Sequence, residues 1–277
     1  MSRPENTNPQ AAQMSDESMV RTLAAQAEAL WPQERPLIEA YRLPADARVI
    51  DVACGTGEIT SRLAAMLPEA RILGVDIHPE HVDRARERCA AHGPCVRFEV
   101  GDAFALPAPD DGFDLAVCRH LLQAVPAPDR VVAELVRVTR PGGVVHLVAE
   151  DYAMIHFHPT RGDTDQFWRD GPMTFAEKLG TDLRSGRTMF TVMRRAGLAD
   201  VRVDYIIADT VRVPRDVLAR IWEAWRDGFA APIAAHTDLA LGAVIDHFED
   251  MLGAIRDPDG YGVWLVPVIS GRAPASV

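Results

Sequence analysis

The chain has few of the features that mark several other protein classes. It contains only 4 cysteines in 277 residues, and no two of them form the C-x-x-C spacing of zinc clusters and redox motifs. We therefore expect reduced thiols. No apolar run reaches the roughly 18 to 20 residues needed to cross a bilayer, and the first ten residues lack the apolar core of a secretory signal. These absences predict a cytoplasmic protein with no membrane partner.

Basic residues are also few compared with acidic ones. The 29 lysines and arginines stand against 40 aspartates and glutamates, which gives a net charge of -11. A long polyanion is repelled on average by such a field. We therefore expect no nucleic-acid partner. The sequence leaves open whether the chain forms a homodimer.

The apolar pattern predicts a single α/β domain over residues 18–277, preceded by a flexible polar tail at residues 1–17. Helical spacing begins near residue 19, and a second helix is expected after Pro32. Strand-like and helix-like segments then alternate to about residue 150, which is typical of a mostly parallel sheet with helices on both faces. The predicted strands are 47–52, 71–75, 96–100, 113–118, 144–149, 201–208 and 262–270.

Two insertions interrupt this rhythm, at about residues 151–187 and 214–258. Their aromatic residues either fill the core of a cap or line a pocket for a substrate. Cap core is the favoured interpretation. The aromatic residues concerned are Phe157, Phe167, Trp168, Trp222, Trp225 and Phe229.

The most informative motif follows the first predicted strand, where the chain reads VIDVACGTGE from residue 49 to residue 58. Gly55 and Gly57 lack a Cβ and allow the backbone to approach a ligand closely. A dinucleotide-binding fingerprint would place a third small residue at position 60, but Thr60 stands there. Asp51, four residues before the first glycine, suits a ligand that carries an ammonium group rather than a pyrophosphate.

This motif resembles motif I of the class I S-adenosylmethionine-dependent methyltransferases, with Ala53 where the family usually has glycine. Asp76, at the end of the second strand, stands where the family places an acidic residue on the ribose hydroxyls. Gly101-Asp102-Ala103, after the third strand, resembles the family's adenine contact. The resemblance is close over residues 45 to 150.

The resemblance implies a Rossmann-like seven-stranded sheet of order 3-2-1-4-5-7-6, with strand 7 antiparallel. It also implies that the protein binds S-adenosylmethionine and releases S-adenosylhomocysteine. The residues expected to contact this cofactor are Asp51, Ala53, Cys54, Gly55, Gly57, Asp76, Ile77, Gly101, Asp102, Ala103 and Arg119.

The methyl acceptor is expected at the ends of strands four and five, because ligands of open α/β sheets lie beyond the carboxyl ends of the strands. His120 and His156 are the candidates for orienting the acceptor or removing its proton. His120 could instead turn toward the cofactor or a neighbouring helix. His156 and His158 could form half of a metal site with Glu150 or Asp151, although an ordinary loop is favoured and no metal ligand is assigned.

The sequence therefore predicts methyl transfer to an oxygen, nitrogen or carbon atom of a small-molecule acceptor. Two alternatives remain open. One is an NAD(P)-linked oxidoreductase, which Thr60 and the position of Asp51 disfavour. The other is a non-catalytic protein that binds the S-adenosyl ligand for regulation or scaffolding.

Overall fold

The computed structural model describes residue 9 and residues 17–274, and it shows one mixed sheet. The strands are β1 (Arg48–Val52), β2 (Arg71–Asp76), β3 (Val96–Val100), β4 (Phe113–Arg119), β5 (Thr139–Val148), β6 (Ile155–His158), β7 (Ala199–Asp209) and β8 (Tyr261–Arg272). The first five strands are parallel and lie in the order β3-β2-β1-β4-β5. β8 pairs antiparallel with β5, β6 and β7. The predicted order with an antiparallel last strand is confirmed.

Nine α-helices accompany the sheet within the described residues. They are α1 (Glu17–Glu39), α2 (Glu58–Met66), α3 (Pro79–Cys89), α4 (Pro128–Val138), α5 (Thr164–Trp168), α6 (Thr174–Lys178), α7 (Gly186–Arg195), α8 (Arg215–His236) and α9 (Leu241–Arg256). None of them is long and apolar enough to cross a bilayer. The predicted tail, residues 1–17, lies outside the described residues except for Pro9 and Glu17.

Successive side chains of a strand point to opposite faces of the sheet. Apolar side chains of the parallel strands are buried on both faces. On one face, Ile50 and Val52 of β1 pack with the apolar sides of α4 and α7. On the other face, Val49 packs with residues of α1 and α2. Helices thus cover both faces, and the carboxyl ends of β1 to β5 meet at one edge, which we call the carboxyl edge.

Two local predictions were wrong. The first is the break at Pro32, because α1 continues through both Pro32 and Pro36. A proline inside a helix removes one backbone hydrogen bond, but tertiary contacts hold this segment in place. The amide side chain of Gln33 donates to the backbone oxygen of Ile207 on β7, over 2.8 Å, and accepts from its N–H.

The second error is the number of strands, since β6 forms an eighth strand inside the first insertion. β6 continues the same edge of β8 that β5 occupies, because β5 pairs with residues 268–272 of β8 and β6 with residues 261–264. The insertions also contain α5, α6, α8 and α9. Their aromatic side chains, predicted to be core, are buried in one apolar cluster.

Candidate functional site

The turn after β1 brings the backbone round sharply at the carboxyl edge. Ala53, Gly55 and Gly57 all have positive φ, of 59°, 53° and 78°. Glycine adopts this region freely, whereas an alanine there costs about 1–2 kcal/mol. Ala53 therefore holds a backbone conformation to which glycine is better suited. A Cβ on Gly57 would lie 3.0 Å from the Cβ of Ala85 on α3, so this glycine also allows close packing.

Asp76, at the end of β2, organises the turn. One carboxylate oxygen accepts the backbone N–H of Gly55 over 2.8 Å, and the other accepts that of His78 over 2.9 Å. Burial alone would raise the pKa of Asp76, but hydrogen bonds from His81 and these backbone groups outweigh it and lower the pKa. The carboxylate is therefore ionised at neutral pH. Nδ1 of His81 lies 3.7 Å from the oxygen that accepts from His78, whereas the oxygen that accepts from Gly55 keeps a second lone pair for a ligand.

Asp51 lies within β1 and is almost fully buried. The hydroxyl of Thr60 on α2 donates to its carboxylate over 2.6 Å. Burial raises the pKa of Asp51 to about 6, although the Thr60 bond and the charge of Arg119 act in the opposite direction. A dinucleotide-binding turn would need a small residue at position 60. Here that position holds a threonine whose hydroxyl bonds to the Asp51 carboxylate.

The end of β3 contributes the third predicted group. The N–H of Gly101 donates to the backbone oxygen of Asp76 over 2.9 Å, which joins the ends of β3 and β2. The side chain of Asp102 accepts the N–H of Phe104 over 2.9 Å. Ile77 is apolar, yet 38% of its surface is exposed. It lines the same cleft as Gly101 and Asp102.

Arg119, the last residue of β4, belongs to a buried charged network with α1. Its Nη2 lies 2.9 Å from a carboxylate oxygen of Glu34. The other oxygen of Glu34 contacts Nε2 of His146 at 3.1 Å, and Nδ1 of His146 contacts the hydroxyl of Tyr41 at 2.7 Å. Burial opposes ionisation of Glu34, but Arg119 and His146 overcome it and lower its pKa to about 2. This network fixes the guanidinium at the carboxyl edge.

His120 follows Arg119 and has a positive φ of 56°. Its Nδ1 makes a short contact with a carboxylate oxygen of Glu150, which follows β5. Both side chains are buried, and neither Nε2 of His120 nor the second oxygen of Glu150 has a hydrogen-bond partner. The pair is a histidine–carboxylate dyad with one unpartnered atom on each member.

Several of these groups line a cleft of about 700 Å³, open mouth included, at the carboxyl edge. Leu23 of α1 also lines it. A second cavity of about 340 Å³ shares four of its lining residues with the cleft, namely Leu23, Ala53, Arg119 and His120. The predicted cofactor residues that line the larger cleft are Ala53, Gly55, Asp76, Ile77, Gly101, Asp102, Ala103 and Arg119.

The remaining predicted residues are placed differently. Asp51 and Cys54 line the smaller cavity, and Gly57 lines neither. His120 lines both cavities, whereas His156 lies on β6 with 63% of its side chain exposed, 3.7 Å from Asp165. The structure therefore does not bring His156 to the cleft. Among the described residues, no cluster of three metal-ligating side chains occurs around it or elsewhere.

Leu23 and Glu34 are two of the site residues that the sequence did not reveal. Both lie on α1, before the first strand. Leu23 reads as one apolar position of a helix, and Glu34 as one of many surface charges. Only the packing of α1 over the carboxyl edge places Leu23 at the cleft and Glu34 beside Arg119.

Comparisons with known proteins match the part of the chain that forms this cleft. Residues 49–143 match the model of a methyltransferase domain family. They contain β1 to β4, the glycine turn and the aspartates of all three strand ends.

Individual relatives resemble the same region. A demethylmenaquinone methyltransferase of Deinococcus radiodurans is 40% identical over 96 residues, which are 35% of this chain and 40% of that protein. The matched region thus spans well under half of that relative.

Solved structures extend the similarity to most of the fold. Phosphoethanolamine N-methyltransferase 2 of Haemonchus contortus, in complex with phosphomonomethylethanolamine and S-adenosylhomocysteine, has a TM-score of 0.62 at 16% identity. The similarity covers 96% of this chain and 59% of that one. The [4+2]-cyclase SpnF has a TM-score of 0.54 at 22% identity, covering 90% of this chain and 85% of that one. The fold is therefore shared by proteins of different named activities.

Proposed function

We propose that the protein transfers a methyl group from S-adenosylmethionine to a small, largely apolar acceptor. The observation that carries the proposal is the convergence of the glycine turn, Asp76 and Asp102 on one cleft next to the buried His120. Fold similarity alone is insufficient, because one fold supports many activities.

The residues at the cleft fit an adenosyl sulfonium ligand. The ionised Asp76 carboxylate can accept hydrogen bonds from ribose hydroxyls, and Ile77 offers an apolar surface for the adenine ring. A Cβ on Gly55 would lie 2.7 Å from Cδ1 of Leu23, so glycine at this position lets α1 pack closely against the turn that lines the cleft. Asp51, at the smaller cavity, suits the ammonium group. When bound, the ligand supplies an electrophilic methyl group.

The acceptor would lie beyond these polar groups. Phe104, Leu121 and Val125 also line the cleft, and they favour an apolar acceptor. His120 is the proposed orienting or proton-accepting residue, and much of the rate would come from holding the acceptor close to the methyl group. A catalytic role for His156 stays a prediction that its exposed position does not support. A cytoplasmic location, and a lack of nucleic-acid and membrane partners, also stay predictions.

Calorimetry followed by a transfer assay separates this proposal from its rivals. We expect binding of S-adenosylmethionine and S-adenosylhomocysteine, no binding of NAD⁺, and transfer of a labelled methyl group to at least one acceptor of a panel of phenols, amines and quinols. Binding of NAD⁺ instead would favour the oxidoreductase. Tight S-adenosyl binding without transfer would favour the non-catalytic protein.

Replacing Gly55 tests the approach of the ligand to the turn. Gly55→Ala should lower stability by about 1–2 kcal/mol because φ is positive, and somewhat further because the added Cβ would meet Leu23. It should also weaken binding of S-adenosylhomocysteine. Gly142→Ala is the matched control, because φ is 73° there and nothing lies within 4 Å of an added Cβ. Denaturant unfolding and calorimetry measure the two effects. Equal ligand affinities in the two variants would show that the ligand does not approach Gly55.

Cofactor affinity should depend on pH through Asp51. A ligand ammonium group requires the ionised carboxylate, so affinity should be constant well above the pKa of about 6 and fall about tenfold per pH unit below it. Thr60→Val removes a bond that lowers this pKa and should move the midpoint to higher pH. Calorimetry between pH 5 and 8 measures both.

The control for this experiment is Thr188→Val on α7, where the hydroxyl donates to the backbone oxygen of Ser185 away from the cleft. Its midpoint should equal that of the wild type. An affinity independent of pH from 5 to 7 in the wild type would mean that Asp51 does not contact the ammonium group.

A further inference from the structure

The dyad of His120 and Glu150 has a geometry that the proposed methyl transfer does not by itself require. Glu150 is completely buried and contacts Nδ1 of the imidazole. An ionised carboxylate can only accept hydrogen bonds, so with Glu150 ionised this contact requires a proton on Nδ1. Nε2 of a neutral ring is then a lone-pair acceptor. In His120, which lines the cleft, this atom is buried and has no partner, as is also the case for Nε2 of His78 and of His81.

The backbone supports the same arrangement. The N–H of His120 donates to the backbone oxygen of Val148 over 3.0 Å, and Gln123 donates to the backbone oxygen of His120 over 2.8 Å. These bonds hold a residue whose φ is positive, a conformation that costs free energy for any residue other than glycine. Such local strain occurs often where a side chain must be aimed at a ligand.

We propose that Glu150 is a positioning residue that fixes the tautomer of His120, so that Nε2 accepts the proton of an acceptor that arrives protonated, such as a phenol or an enol. This inference rests on the proposed function and narrows its substrate class. A carbon nucleophile that is already electron-rich would need no such base.

The step balances as follows. The acceptor O–H proton moves to Nε2, and the oxygen lone pair forms the new O–CH₃ bond. The S–CH₃ bond breaks, and its electron pair stays on sulfur, which becomes a neutral thioether. His120 becomes an imidazolium, and the Glu150 carboxylate stabilises it in the same way that a buried carboxylate stabilises a catalytic imidazolium in hydrolases.

Other charged groups near His120 are already engaged. Glu34 of α1 is paired with Arg119 of β4, and Asp51 of β1 accepts from Thr60. The ring centroid of Trp264, on β8, lies 6.2 Å from that of the His120 imidazole. Glu150 is therefore the carboxylate that contacts the ring directly.

Nitrogen-15 spectra of histidine-labelled full-length protein test the tautomer without any acceptor. The His120 signals are those missing from the His120→Gln variant. We expect a neutral His120 ring protonated at Nδ1 in the wild type. In Glu150→Gln, whose amide can donate as well as accept, we expect this signature to be lost or mixed, and in Glu150→Asp at least partly retained. The buried His146, which contacts Glu34, is the internal control and should not change.

Two results would overturn the inference. One is a wild-type His120 protonated at Nε2, and the other is an unchanged His120 spectrum in Glu150→Gln. Calorimetry with S-adenosylhomocysteine distinguishes failure of this inference from failure of the proposed function. We expect wild type and Glu150→Gln to bind it within about twofold of each other, whereas no binding to the wild type would reject the proposed function and leave the tautomer result standing on its own.

Discussion

Replacing Asp76 with alanine should weaken binding of S-adenosylmethionine by about 1–3 kcal/mol, or roughly 5- to 150-fold. The variant would lose the bonds proposed to the ribose hydroxyls. It would also release the N–H groups of Gly55 and His78, which the carboxylate now holds at 2.8 and 2.9 Å. Calorimetry with the folded variant measures the change.

Asp114→Ala is the matched control for this prediction. Asp114 also accepts a backbone N–H, that of Arg48 over 2.8 Å, and pairs with Arg140, but it lies near the start of β4 at the opposite edge of the sheet. Its loss should leave ligand affinity unchanged. If Asp76→Ala bound the ligand as tightly as Asp114→Ala does, Asp76 would have no role in binding.

Replacing Glu34 with glutamine should lower the free energy of unfolding by about 3–5 kcal/mol. The ion pair with Arg119 need not be strongly stabilising as a pair, since burying two charges is costly. Removing one partner is different, because it leaves the guanidinium of Arg119 buried without its counter-charge. Denaturant unfolding at neutral pH measures this loss.

The same helix supplies the control. Glu39 pairs with Arg35 on the exposed side of α1, with 46% of its side chain exposed, and surface pairs of this kind contribute little. Glu39→Gln should change stability by less than about 1 kcal/mol. A similarly small loss in Glu34→Gln would mean that Arg119 is not isolated from water or from another anion.

The pH dependence of stability gives an independent check on Glu34. Its pKa is lowered in the folded protein from 4.5 to about 2. The stabilisation that depends on its charge is therefore complete above the ordinary pKa and is lost as pH falls from about 4.5 toward 2. Wild type should lose more stability across this range than Glu34→Gln does.

Much of the cleft could be predicted from the sequence because its polar groups follow directly after strands. Asp76 and Asp102 each stand where an apolar run ends, and parallel strands bring such ends to one edge. Gly55 and Gly57 mark a turn whose backbone needs positive φ. Each of these signals is local, so a single sequence displays it without knowledge of the packing.

The parts that were missed depend on contacts between distant segments. Leu23 reaches the cleft, and Glu34 reaches Arg119, only because α1 packs across the sheet. β6 has four residues and gains its strand geometry from β8, about one hundred residues later in the chain. The break expected at Pro32 was a sound inference from backbone chemistry, but the side chain of Gln33 ties the helix to β7 at that point.

A crystal structure with S-adenosylhomocysteine bound tests the central claim most directly. The account predicts the ribose hydroxyls on the carboxylate of Asp76, the adenine ring beside Ile77, and the amino acid end of the ligand near Asp51. A ligand bound at another place on the protein, or in this cleft with its ribose away from Asp76, would contradict it.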